Sequence, residues 1–282
     1  MKNIKKFILI PVYNDSKSLN KLLTKLDNNI KKKISNIEIL IINDNSTDKL
    51  KLFSRKFSCI KKINILTLSK NVGSQRAIAL GLLYLKKIKN DFIVTVMDSD
   101  GEDDPVEVPK MISLAMKNSN YVITSNRKSR KETRIIIFLY HMHLLLTFLF
   151  TFKWISFGNF TCFHKKNLSR LFIDNSSFCA HSSAVMKNCS IKRIYAKRKK
   201  RYFDKSKLGL TSLMEHSLRV NAVFLKNIIF YSIIYIFIFT VFLPEILNLF
   251  LLTLILTFNF LIFFIKFKYP KEYISYSKQK VL

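Results

Sequence analysis

Residues 92–105 read FIVTVMDSDGEDDP, and this stretch sets the fold. Phe92–Met97 is a short continuous apolar run rich in Val and Ile, the pattern of a strand buried on both faces. Asp98-Ser99-Asp100 follows at once, so two carboxylates stand on the turn where the chain leaves the strand. In open α/β sheets that carboxyl edge is where ligands bind. Two neighbouring carboxylates suit Mg²⁺ or Mn²⁺, with phosphate oxygens and water completing the coordination. Acidic turns are common, so the pair alone does not define a site.

Three similar runs precede it: Phe7–Val12, Ile37–Ile42 and Ile63–Leu68. Between them, Leu19, Leu22, Leu23 and Leu26 share one helical face, and Ala77, Leu80, Gly81 and Tyr84 share another. Alternation at this spacing predicts a mainly parallel sheet wrapped by right-handed crossovers, an α/β Rossmann-like unit over residues 1 to about 125. Two more acidic segments, Pro11-Val12-Tyr13-Asn14-Asp15 and Asp44-Asn45-Ser46-Thr47-Asp48, lie just past the first two strands, so three converge on one edge. Helix capping is a competing role for Asp15, Ser46 and Asp48.

The formal net charge is +30, which fits a nucleic acid or an anionic membrane surface as partner. Only ten of the 48 basic residues are Arg while Lys, Ile, Asn and Phe abound, as an AT-rich coding sequence would also produce. Cys59, Cys162, Cys179 and Cys189 form no CxxC pair and read as reduced cytosolic thiols. Met1–Ile10 has too short an apolar core for a signal peptide, so the first domain is expected to stay on the side where it is made.

Asn227–Leu243 and Ile246–Ile265 are nearly uncharged and are separated by Pro244 and Glu245. One continuous helix would extend roughly 58 Å against a hydrocarbon core of about 30 Å. A transmembrane hairpin is therefore expected. Arg219 and Lys226 before it, and Lys266, Lys268 and Lys271 after it, place both ends in the cytoplasm by the positive-inside bias. Ile135–Phe152 is also long and apolar but carries His141 and His143, and it reads as an interfacial helix lying along the bilayer. The expected organisation is a catalytic unit over 1–220, with a nucleotide-binding half (1–125) and an acceptor part (126–220), then a hairpin with a short basic tail (221–282).

The segments IPVYND (10–15), EILIINDNSTD (38–48), LSKNVGSQRAIALGL (68–82), VTVMDSDGEDDP (94–105), SNRKSRKE (125–132), SFGNF (156–160) and RYFDKSK (201–207) occur in this order before the hairpin. In that order the chain resembles the family 2 glycosyltransferases of GT-A fold, in particular the dolichol-phosphate mannose synthase-like and bacterial polyprenyl-phosphate branch. The resemblance implies that Pro11, Tyr13, Asn14, Asp15 and Asp44 hold the base and ribose of a UDP- or GDP-linked sugar, with Asn71, Gly73 and Arg76 shaping the pocket. It implies that Asp98, Ser99 and Asp100 meet the diphosphate, and that Asp98 and Asp100 hold the metal, with Glu102 where the family often has a metal-coordinating Gln.

Arg127 and Arg130 are expected to follow the last strand of the domain, and their forked guanidinium groups suit the phosphates of donor or acceptor. Surface solvation is the plainer role. Lys192–Lys207 carries nine basic residues and one acid, Asp204. Arg201, Ser206 and Lys207 resemble the family's acceptor loop, and the rest would touch anionic headgroups. A nucleic-acid arm competes, but the hairpin makes a lipid phosphate the nearer anion.

One departure from the family is informative. Many relatives have Gly-Asp-Phe where this chain has Gly158-Asn159-Phe160, and that Asp is assigned as catalytic base. An Asn cannot take a proton, whereas a phosphate acceptor is already ionised near neutral pH and needs no base. Asp103, Asp104 and His164 are the fallback bases, and His181 and His216 carry no assignment. The expected activity is metal-dependent inverting transfer of a sugar to a lipid-linked polyprenyl phosphate at the cytoplasmic membrane. The alternatives are a glycolipid or diacylglycerol hydroxyl as acceptor and, more distantly, a non-catalytic membrane or nucleic-acid-binding protein. A homo-oligomer is compatible with the sequence.

Overall fold

The computed structural model describes residues 4–30, 34–53, 56–127, 134–203, 209–269 and 274–281. Its centre is an eight-stranded sheet. The four apolar runs become β1 (Lys5–Val12), β2 (Ile37–Asn43), β3 (Ile60–Leu68) and β4 (Phe92–Val96), all mutually parallel where they pair. β5 (Tyr121–Arg127), β6 (Phe157–His164), β7 (Ser190–Ala196) and β8 (Tyr276–Lys280) complete the spatial order β7-β5-β6-β4-β1-β2-β3-β8. β6 runs antiparallel to β4 and β5, and β7 is parallel to β5. β5 is therefore not the last strand, and Arg127 ends it rather than follows it.

Alternation along β1 shows how the core is divided. Phe7 and Leu9 point into one apolar layer with α2 (Ser74–Lys86), and Ile8 and Ile10 into the other with α1 (Ser16–Ile30) and α3 (Val108–Lys117). Leu19, Leu22, Leu23 and Leu26 of α1 are all buried, as the 3.6-residue period requires. Gly81 of α2 lies against the sheet, and a Cβ there would come within 2.7 Å of Leu9 and 2.8 Å of Ile42. Glycine is what lets the helix approach β1 and β2 so closely.

Asp15 caps α1, its Oδ1 accepting the Ser18 N–H at 3.3 Å. Ser46 and Asp48 cap nothing, because no helix occurs in the described part of the β2–β3 connection. Local polar ties take its place. Ser46 Oγ accepts the Asn14 N–H, Asn43 Oδ1 accepts the Ser46 N–H, and Asn14 Oδ1 accepts the Asp48 N–H.

The short helices α5 (Asn167–Leu171), α6 (Ser176–Cys179) and α7 (His181–Asn188) pack beside α2 and β6, and α8 (Leu210–Ala222) leads to the hairpin α9 (Leu225–Phe242) and α10 (Glu245–Lys268). With α4 (Arg134–Thr151), these make three helices long and apolar enough to cross a membrane. Inside the hairpin, Asn259 Nδ2 donates to Ser232 Oγ at 2.7 Å, the kind of polar tie that joins helices in lipid. Phe150 of α4 packs against Tyr235 and Phe258, so α4 and the hairpin meet.

Two connections bear on how these helices can sit. α4 lies between β5 and β6, which are neighbours in one sheet. After α10 the chain returns to the same sheet as β8, antiparallel to β3 from Asn64↔Lys280 to Leu68↔Tyr276.

Candidate active site

The parallel register brings the ends of β1, β2 and β4 to one edge, with Leu9 opposite Val96 and Val12 opposite Asn43. Beyond those ends stand Asn14, Asp44 and Asp98. Asn14 adopts a left-handed backbone (φ 48°) and ties the 46–48 loop to β1 through Ser46, Thr47 and Asp48. Pro11 is buried in β1, and Tyr13 is exposed at the rim.

Asp44 is 2% exposed, and its two oxygens accept the Val72 and Gly73 N–H groups, each at 2.8 Å. Burial foremost raises its pKa, against the two amides that lower it. Its carboxylate thus fastens the 69–73 loop to the end of β2. Asn71 also accepts the Gly73 N–H at 3.2 Å, and Gly73 enters α2 with φ 83°, which a side chain would strain. Arg76 points toward the hairpin root, its guanidinium 5.7 Å from the Tyr269 ring, which also receives Arg219 at 4.0 Å.

At the end of β4, Ser99 and Asp100 are buried. The Asp98 N–H donates to Asp103 Oδ2 at 3.0 Å, and Asp100 Oδ1 accepts the Glu102 N–H at 2.9 Å. Burial first, then the Asp98 charge, push the Asp100 pKa up to about 6. Asp98 Oδ1 accepts from Asn159 Nδ2 at 3.0 Å, Asn159 Oδ1 accepts from Gln75 Nε2 at 3.0 Å, and Gln75 Oε1 accepts the His181 N–H at 2.7 Å. His181 is fully buried, its Nε2 lies 2.9 Å from Thr161 Oγ1, and burial lowers its pKa to about 4, so the ring is neutral at pH 7.

A basic strap crosses this turn. Arg201 pairs with Asp100 at 3.0 Å, Lys199 with Asp104 at 3.2 Å, and Arg198 with Glu102. The Lys199 N–H donates to Glu102 O and the Tyr202 N–H to Asp100 O. Gly101 (φ 85°) lies under the Tyr202 ring, where a Cβ would come within 2.3 Å. A groove of about 500 Å³ opens beside the strap, lined in part by Lys25, Lys199, Lys200 and Tyr202.

Glu102, expected among the metal ligands, is thus held by Arg198, and Arg201, expected at the acceptor, lies on Asp100. Asp104 caps a 3-10 turn through Val106, and Asp103 is engaged by Asp98. His164 pairs with Ile93, at the opposite end of β4 from Asp98, which removes it as a base. Arg130, Ser206 and Lys207 and the side chain of Arg127 lie outside the described residues. Gln75, Thr161 and His181 join the site without a local mark in the sequence, through contacts between distant positions.

Among the described residues no three acidic, His or Cys side chains form a ready-made metal cage. Asp98 and Asp100 nonetheless interact strongly enough for one to raise the other's pKa. Two crowded carboxylates with oxygen donors only are the donor set of a hard divalent cation that takes its remaining ligands from phosphate and water.

Comparison with known proteins fits this geometry. The chain is 28% identical over 128 residues to an undecaprenyl-phosphate 4-deoxy-4-formamido-L-arabinose transferase of Aeromonas hydrophila, covering 45% of this chain and 38% of that one. It is 28% identical over 120 residues to a dolichol-phosphate mannosyltransferase of Pyrococcus furiosus, covering 43% and 32%. The chain thus spans less than two fifths of the length of these curated relatives. In fold it is similar to glucosyl-3-phosphoglycerate synthase from Mycobacterium tuberculosis, solved in complex with Mn²⁺, UDP and phosphoglyceric acid, at TM-score 0.52 and 14% identity over 80% of this chain and 78% of that one. The Glycosyl transferase family 2 profile matches residues 7–192, about two thirds of the sequence, and the chain belongs to that family.

Proposed function

We propose that this protein transfers a sugar from a nucleoside-diphosphate sugar to a polyprenyl phosphate at a membrane surface, with inversion and with a divalent cation held by Asp98 and Asp100. The observation that carries the reading is the pair of crowded carboxylates at the sheet's carboxyl edge, in a chain that also has three membrane-length apolar helices. The names of the curated relatives, which are polyprenyl- and dolichol-phosphate transferases, support the acceptor class. The cation would neutralise charge on the departing nucleoside diphosphate. Asp44 and Gly73 fix the loop against which the nucleotide would lie. Asn159 has its amide oxygen and nitrogen engaged by Gln75 and Asp98, which suits an acceptor that arrives already ionised. Arg127 and Arg130, at and beyond the end of β5, are assigned to the phosphates.

Membranes supplied with labelled UDP- and GDP-sugars and polyprenyl phosphate are expected to form a glycolipid that mild acid hydrolyses and EDTA prevents. An acid-stable product would identify a hydroxyl acceptor instead. Transfer that persists in EDTA would remove the metal from the mechanism.

For topology, the reading has α4 lying along the bilayer and α9–α10 entering it and returning. β5 and β6 are adjacent strands, so a helix between them that crossed the membrane would separate partners that share hydrogen bonds. The same reasoning joins β8 to β3 and keeps both ends of the hairpin on the catalytic side. Exposed Ile135, Phe138 and Leu139 give α4 an apolar surface to lay on lipid, and Lys226, Lys266 and Lys268 favour the cytoplasmic face. In sealed inside-out vesicles, an impermeant maleimide is expected to label a single cysteine at Ser277 and to spare one at Leu243. The reverse pattern would overturn this arrangement.

A further inference from the structure

We infer that Gln75 is a positioning residue for the proposed metal site, acting through Asn159 on the Asp98 carboxylate. The inference rests on the proposed function, since it assigns Asp98 a cation. Three hydrogen bonds carry it: His181 N–H to Gln75 Oε1 at 2.7 Å, Gln75 Nε2 to Asn159 Oδ1 at 3.0 Å, and Asn159 Nδ2 to Asp98 Oδ1 at 3.0 Å.

Both ends of this chain have fixed polarity. A main-chain N–H can only donate, so the Gln75 atom facing His181 is its oxygen, and its NH₂ group is turned toward Asn159. An ionised carboxylate can only accept, so the Asn159 atom facing Asp98 is its nitrogen, and its oxygen is turned toward Gln75. The two amides fit between these ends in one sense only. Gln75 is 5% exposed and His181 fully buried, so neither can reach water as an alternative partner. The buried ring of His181, set against Thr161 on the same strand as Asn159, holds the anchor in place.

This polarity accounts for an amide rather than an acid at position 159. An ionised Asp at 159 could accept from Gln75 but would turn its other oxygen onto the Asp98 oxygen. A side-chain amide accepts from Gln75 and donates to Asp98 at once. Gln75 and Asn159 are thus a matched pair, and replacing the first reverses the second. In Gln75→Glu the carboxylate still accepts from His181, but it presents an oxygen to Asn159. The Asn159 amide then flips, and its oxygen faces Asp98.

The measurement is Mn²⁺ affinity by electron paramagnetic resonance of the full-length protein, with UDP and GDP in parallel. Gln75→Glu is expected to weaken Mn²⁺ binding about 10- to 100-fold, the usual effect of losing an outer-shell partner of a ligating carboxylate. Asn159→Ala is expected to weaken it by a similar factor, and Gln75→Glu added to Asn159→Ala to change it by less than about twofold, because Gln75 acts through Asn159 alone. Multiplying effects in the double variant, or unchanged affinity in Gln75→Glu, would overturn the inference. If the buried carboxylate prevents folding, Gln75→Met, which can no longer orient Asn159, is read by the same criteria. Wild-type protein that binds no Mn²⁺ with either nucleotide ends both the metal reading and this one, whereas binding that is equal in wild type and variant ends this one alone.

Discussion

Asp100→Asn is expected to lower sugar transfer about 10³-fold while leaving the protein folded and at least as resistant to heat as the wild type in metal-free buffer. The loss corresponds to the several kcal/mol of charge stabilisation that a divalent cation contributes. Asn can still accept the Glu102 N–H but brings no charge for a cation. The thermal result follows from the sign of the pKa shift. Burial and Asp98 raise Asp100 to about 6, so the folded protein holds this proton more tightly than the unfolded chain. Ionised Asp100 therefore opposes folding above about pH 6, and that opposition fades as pH falls toward the unfolded value. Asn removes it at neutral pH, partly offset by the lost Arg201 pair. Melting curves of both proteins from pH 7.5 to 5 check this: the wild type should gain on the variant as pH falls. A variant that keeps full transfer would remove Asp100 from the site.

Asp44→Ala acts on stability instead. The substitution leaves the Val72 N–H without its acceptor at a 2% exposed position, while the Gly73 N–H keeps Asn71 Oδ1. An unpaired buried amide costs about 1–3 kcal/mol, and that is the expected loss. For a chain of this size that lowers the melting temperature by roughly 2–10 °C. Loosening the 69–73 loop should also weaken nucleotide binding at least tenfold, which isothermal titration would read. Asp44→Asn keeps one accepted bond and should fall between. A melting temperature unchanged in Asp44→Ala would show that the loop is held by other contacts.

The fold was legible where physics leaves a local mark. Strands buried on both faces appear as unbroken runs such as Phe7–Val12, α1 as four leucines on one face, and the hairpin as apolar stretches parted at Pro244. β8 left no such mark. Tyr276–Lys280 is exposed throughout and joins the sheet by main-chain hydrogen bonds, which any sequence can make. The acidic turns at Asp44, Asp98 and Asp100 were readable because they follow strands directly. Their partners were not: Asn159 lies 61 positions from Asp98 and 84 from Gln75. The basic run 192–207 showed its charge but not that Arg198, Lys199 and Arg201 match Glu102, Asp104 and Asp100 one to one, a pairing set only once β7 lies beside β5.

The pairing of β8 with β3 imposes an order on biogenesis. β3 leaves the ribosome early, yet the partner for its outer edge is made more than 200 residues later, after both hairpin helices. At ordinary synthesis rates that is on the order of tens of seconds. Throughout that interval the nascent domain carries a bare strand edge, a template for unwanted association. If the hairpin enters the bilayer as proposed, completion of the sheet becomes a checkpoint on insertion, since a hairpin that fails to turn back would deliver β8 to the wrong side and leave the β3 edge bare.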